Sequence, residues 1–175
     1  MLKQKLFRLP ARYAVASIVA TITLACLLLS AQTPRAEAAN WNQIEPLKSR
    51  LDDVERLLGK PLEEKGNEPD SLRFKVNGGM VTISFVSAKF VATKKLSPAY
   101  EGTVLQVVLQ HEHAPDTPDS MKLVKNSAFQ LEQRQGVAHY RNLKDGIAYT
   151  FVDGKLKTTW YSPSAELLAR ARMKG

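Results

Sequence analysis

The run Gln110-His111-Glu112-His113-Ala114-Pro115-Asp116 holds the sharpest concentration of reactive side chains in the chain. His111 and His113 are two apart, and if a strand carries both, their imidazoles project to one face. Together with Asp116 they would offer two nitrogens and a carboxylate. That set suits a divalent metal such as zinc, or non-haem iron, and an open fourth position would let a bound water carry hydrolysis. The competing reading is a pair of solvated histidines at a strand end. His139, beside Tyr140 and Arg141, would act as an acid or base only inside a pocket. Trp41 and Tyr161 are candidate aromatic anchors for a partner, because aromatic side chains concentrate interface energy. Trp160 alternates with Leu156 and is expected in the core. The chain has no Gly-x-Ser-x-Gly elbow, Ser-x-x-Lys pair, phosphate loop or His-Glu-x-x-His, so no catalytic residue is assigned from motifs.

These residues need elements to hold them. Ser49 and Asp52 have the spacing of a capping box, and Leu51, Val54, Leu57 and Leu58 follow on one helical face. Gly59 and Pro61 end that helix. Residues 63–70 read as a polar loop. Leu72, Phe74 and Val76, the turn Asn77-Gly78-Gly79, then Val81, Ile83 and Phe85 predict a hairpin with one buried face. Residues 89–100 read as an interruption. Residues 103–110 predict a third strand with Leu105, Val107 and Leu109 inward. Between 114 and 136 the pattern gives only weak structure. Ile147, Tyr149 and Phe151, the turn Asp153-Gly154, and Leu156, Thr158 and Trp160 predict a second hairpin. Ser162, Pro163 and Glu166 would open a final helix, with Arg170, Arg172 and Lys174 near its negative end. Alternating strands joined by short turns favour an antiparallel sheet, so the expected class is α+β, with a capped helix before the sheet and another after it.

Residues 1–38 have the three parts of a secretory signal peptide: early cations, an apolar run from Tyr13 to Leu29, and Ala36-Glu37-Ala38 as a cleavage signal. Residues 39–175 would then form one mature domain, periplasmic or secreted. The alternative is an inner-membrane anchor through residues 13–29, a run of 17 residues near the lower limit for a span. Cys26 is the single cysteine and lies in this leader, which leaves the mature part without a disulfide, a thiolate nucleophile or a Cys-based zinc site.

With 44% hydrophobic and 24% charged residues the composition is that of an ordinary globular protein. The formal charge of +8 shrinks once Lys3, Lys5, Arg8, Arg12, Arg35 and Glu37 are set aside with the leader. The mature part keeps 20 cations against 16 acids, or +4. So mild a balance argues against dedicated nucleic-acid binding and leaves room for weak attraction to an anionic surface.

Two stretches carry a resemblance. Residues 46–61, PLKSRLDDVERLLGKP, resemble the opening helix of a group of small exported bacterial proteins of unknown function. Residues 146–166, GIAYTFVDGKLKTTWYSPSAE, resemble their closing hairpin, and Gly102-Thr103-Val104 matches the strand between. The chain departs from that group at Lys94-Lys95 and Ala169-Arg170, where its members tend to carry cysteine. The Asp-Val-Glu-x-Leu-Leu-Gly-x-Pro helix end is also similar, more distantly, to the SmpA and OmlA outer-membrane assembly lipoproteins and to β-lactamase-inhibitor modules. Those relatives bind proteins, so the resemblance implies an interaction role, at the level of fold analogy. Two readings stand: an exported, non-enzymatic binding module of the cell envelope with a protein partner and no cofactor, or a small metal-binding protein or hydrolase centred on His111 and His113.

Overall fold

A computed structural model of the chain describes residues 39–62 and 70–172. The leader and anchor readings, Cys26 and Lys174 lie outside these residues. In order the elements are α1 (Leu51–Leu58), β1 (Ser71–Val76), β2 (Gly79–Phe85), α2 (Ala88–Lys94), a 3-10 turn (Pro98–Tyr100), β3 (Val104–His111), β4 (Gln130–Arg134), β5 (Val137–Asn142), β6 (Ile147–Val152), β7 (Lys155–Tyr161) and α3 (Ala165–Ala171). All seven strands join one antiparallel sheet in the order β1-β2-β3-β7-β6-β5-β4. The class is α+β. Among the described residues no helix is long and apolar enough to cross a membrane.

The helix starts differ from the expected caps. Ser49 Oγ accepts the Glu45 N–H at 3.0 Å and so closes the preceding turn. The N-cap of α1 is Arg50, whose N–H donates to Asp53 Oδ2 at 3.1 Å. That backbone donor, joined by Arg56, holds the Asp53 carboxyl below its ordinary range. At the other end Ser162 Oγ donates to the Gly146 carbonyl at 3.2 Å, and Ser164 caps α3 by accepting the Leu167 N–H at 3.1 Å. In each case the serine bonds a backbone group outside the helix, at Glu45 in the preceding turn or at Gly146 before β6, and the cap falls one or two residues later.

Three apolar clusters hold the described unit together. The first joins Phe74, Val81, Ile83, Val104 and Val107 of the sheet to Ile44 and to Val54 of α1. The second gathers Leu47, Val86, Val91, Leu96 and Ala171, with Leu105, Leu167 and Leu168 against it. The third sets Tyr140, Phe151 and Leu156 against Leu123, Met121 and Phe129 of the 117–129 segment, with Tyr140 and Phe151 edge to face at 5.7 Å between centroids. Leu109 packs with the first cluster and Leu105 with the second.

Two register shifts explain where alternation misleads. Ser84 pairs with Gln106 but Phe85 with Val104, so Leu105 is an extra residue in β3 and Val104 takes the inward place. Thr150 pairs with Thr158 but Phe151 with Leu156, so Lys157 is extra in β7. A bulge of this kind reverses the facing of every later residue. Leu156 is inward, but beyond Lys157 the inward residues are Thr159 and Tyr161. Trp160 therefore faces the other side, against the expectation that it joins the core.

Candidate functional site

The first and third clusters cover one face of the sheet, and the two rows that cross the opposite face contribute no residue to either. Its composition follows from the register. One row runs across all seven strands as Arg73, Thr82, Val108, Trp160, Ala148, Arg141 and Gln130. The next reads Lys75, Met80, Gln110, Thr158, Thr150, His139 and Glu132. Trp160 stands near the middle, flanked by the small Ala148 and by Val108. None of the fourteen side chains is fully buried.

Around Trp160 the face forms a groove of about 270 Å³ lined by Gln106, His139, Arg141, Ala148, Thr150, Trp160 and Ser162. The indole and Ala148 supply an apolar platform, and the rest supply hydroxyl, amide, imidazole and guanidinium groups. His139 Nδ1 lies 3.0 Å from Thr150 Oγ1 on the neighbouring strand, which fixes the ring against the sheet. Arg141 Nη2 donates to Glu132 Oε2 at 3.0 Å, and Glu132 Oε1 is 3.8 Å from Arg134 Nε. The Arg141–Glu132 pair is about half exposed, so it orients the guanidinium at modest energetic cost to any competing anion. Ser162 closes one end, its N–H donating to the Gly146 carbonyl at 2.8 Å. Such a groove can stack a flat, partly apolar ligand and hydrogen-bond its rim.

The residues singled out from sequence go elsewhere. β3 ends at His111, and His113 is exposed in the following bend, so the same-face argument for the pair fails. His111 Nε2 lies 2.9 Å from Thr159 Oγ1 on the covered face. Burial pushes the His111 imidazole below its ordinary range, opposed in part by Asp116. Among the described residues no group of three or more His, Cys, Asp or Glu is placed to hold a metal ion. The set His111, His113 and Asp116 is thus not assembled into a metal site. Trp41 and Tyr161 both pack against the first core cluster and are half-buried. Burial raises the Tyr161 phenol, as it does that of Tyr149, where Tyr161 adds to the shift. The aromatic on the open face is Trp160, put there by the bulge at Lys157, which carries no signal of its own in the sequence.

No family model matches this chain, and no curated protein matches it. Among solved structures, a DUF4309 family protein (YjgB) from Bacillus subtilis subsp. subtilis str. 168 is similar at a TM-score of 0.47 and 12% identity. The match covers 74% of this chain and 88% of that one.

Proposed function

We propose that the chain is an exported, non-enzymatic binding module of the cell envelope whose recognition surface is the open sheet face centred on Trp160. The observation that carries this reading is the placement of a large aromatic side chain in a groove rimmed by hydroxyl, amide, imidazole and guanidinium groups, on the sheet face opposite the first and third apolar clusters. A solvent-facing sheet surface has little folding use for a tryptophan, whereas recognition surfaces are enriched in tryptophan and arginine. The leader pattern of residues 1–38 supports export, to the periplasm or beyond, and the resemblance to protein-binding envelope modules points toward binding rather than catalysis. Residues Trp160, Arg141, His139 and Gln106 carry the contact. Trp41 and Tyr161, expected as anchors, serve the core beneath.

The test compares wild type with Trp160→Ala and Arg141→Gln in the producing cells, measuring the fraction of the protein that sediments with the envelope. The reading expects association that both variants reduce, at unchanged circular dichroism and protein level. Envelope association unaffected by either variant, or absent in wild type, would refute it.

A further inference from the structure

We infer that the open sheet face binds an acidic polysaccharide, with Trp160 stacking on one sugar ring and the flanking cations holding its acid groups. This names the ligand class for the recognition surface proposed above and rests on that reading. The first observation is charge. The side chains that the register brings to this face include Arg73, Lys75, Arg134, Arg141 and Lys155 but one acid, Glu132. A net charge that looks mild along the chain is gathered on one surface, which raises the local concentration of an anionic ligand.

The second observation is spacing. Trp160 and Arg141 lie in one row two strands apart, and Trp160 and Arg73 three strands apart in the other direction. At about 4.8 Å between strands, the backbone positions of the two arginines lie roughly 10 and 14 Å from that of Trp160 along that row. A ligand that touches all three is extended and carries repeated negative charge. The third is the chemistry between them. A protein interface of ordinary strength needs a continuous apolar core, and here the sizeable apolar groups beside Trp160 are Val108 and Met80, with Val137 and Val152 in the row of Arg134 and Lys155, set among hydroxyls and amides. One aromatic platform ringed by Gln106, Gln110, Thr82, Thr150 and Thr158 fits a pyranose, whose C–H face stacks and whose hydroxyls hydrogen-bond.

The experiment measures equilibrium binding of the purified exported protein to polygalacturonate by intrinsic fluorescence and sedimentation. Dextran, poly-glutamate and single-stranded DNA serve as comparison probes. Saturable polygalacturonate binding, weakened by salt, is expected, with dextran inactive and the other polyanions much weaker. Trp160→Ala and Arg141→Gln should each lose on the order of tenfold or more in affinity, Trp160→Phe should keep most of it, and Lys125→Gln on another surface should change nothing. Should Trp160→Ala unfold, Trp160→Phe and Arg141→Gln carry the comparison. Equal binding of dextran, or failure of polygalacturonate to bind, overturns the inference. Preference for poly-glutamate or DNA that is lost in Trp160→Ala overturns the glycan and leaves the recognition face standing. Polyanion binding indifferent to both variants overturns the face as well.

Discussion

Replacing Gly146 with alanine probes the joint that fixes the Ser162 end of the groove. Gly146 sits at φ +70°, and a Cβ there would lie 2.1 Å from the Ser162 carbonyl oxygen and 3.1 Å from the Pro163 carbonyl carbon. Both neighbours are backbone, so neither can swing aside as a side-chain tip would. The left-handed conformation alone costs an alanine about 1–2 kcal/mol, and displacing packed backbone adds about 1–3 kcal/mol. Gly146→Ala should therefore destabilise by about 2–5 kcal/mol. Gly154 is the matched control: its φ is +73°, with nothing within 4 Å of the position a Cβ would take. Gly154→Ala should show the conformational part alone, about 1–2 kcal/mol. Urea unfolding at a common slope measures both. Equal losses for the two variants would refute the close approach of Gly146 to Ser162.

Other consequences of the packing are equally open to measurement. Phe151, fully buried in the third cluster, should cost about 3–5 kcal/mol as Phe151→Ala in the same urea assay. Ser164→Ala, which removes the cap of α3, should cost about 0.5–2 kcal/mol and lower the helical circular dichroism signal. His111 has its folded value depressed by burial, so the unfolded chain takes up a proton more readily than the folded one. Its contribution is fully present above the unfolded value of about 6.5 and is lost as pH falls below it. Urea midpoints at pH 7.5 and 5.0 should differ in that direction, and His111→Gln should narrow the difference.

Regular alternation made the hairpin of β1 and β2 and that of β6 and β7 readable from sequence, because Leu72, Phe74 and Val76, or Ile147, Tyr149 and Phe151, report a half-buried strand directly. β4 was not readable: Gln130 to Arg134 are all exposed, and an edge strand paired on one side carries no apolar rhythm. The short α2 was hidden for a related reason, its single buried residue being Val91. Gln135-Gly136, both at positive φ, was the available sign of the turn joining β4 to β5. The site was missed through the two bulges. A single extra residue at Lys157 sends Trp160 to the open face and Tyr161 to the core, and nothing in residue type alone marks it. The histidine pair drew attention because spacing implied a shared face, but the strand ends before the second member.

Photo-crosslinking in the producing cells addresses the central claim most directly. A photoreactive phenylalanine analogue is placed at Ala148 or Val108 on the open face, and at Ala92 or Val124, which are exposed elsewhere. A crosslinked species, discrete for a protein ligand and spread in mass for a polysaccharide, is predicted from the two open-face positions and none from the other two. Adducts confined to Ala92 or Val124, or an unreactive open face, would contradict it.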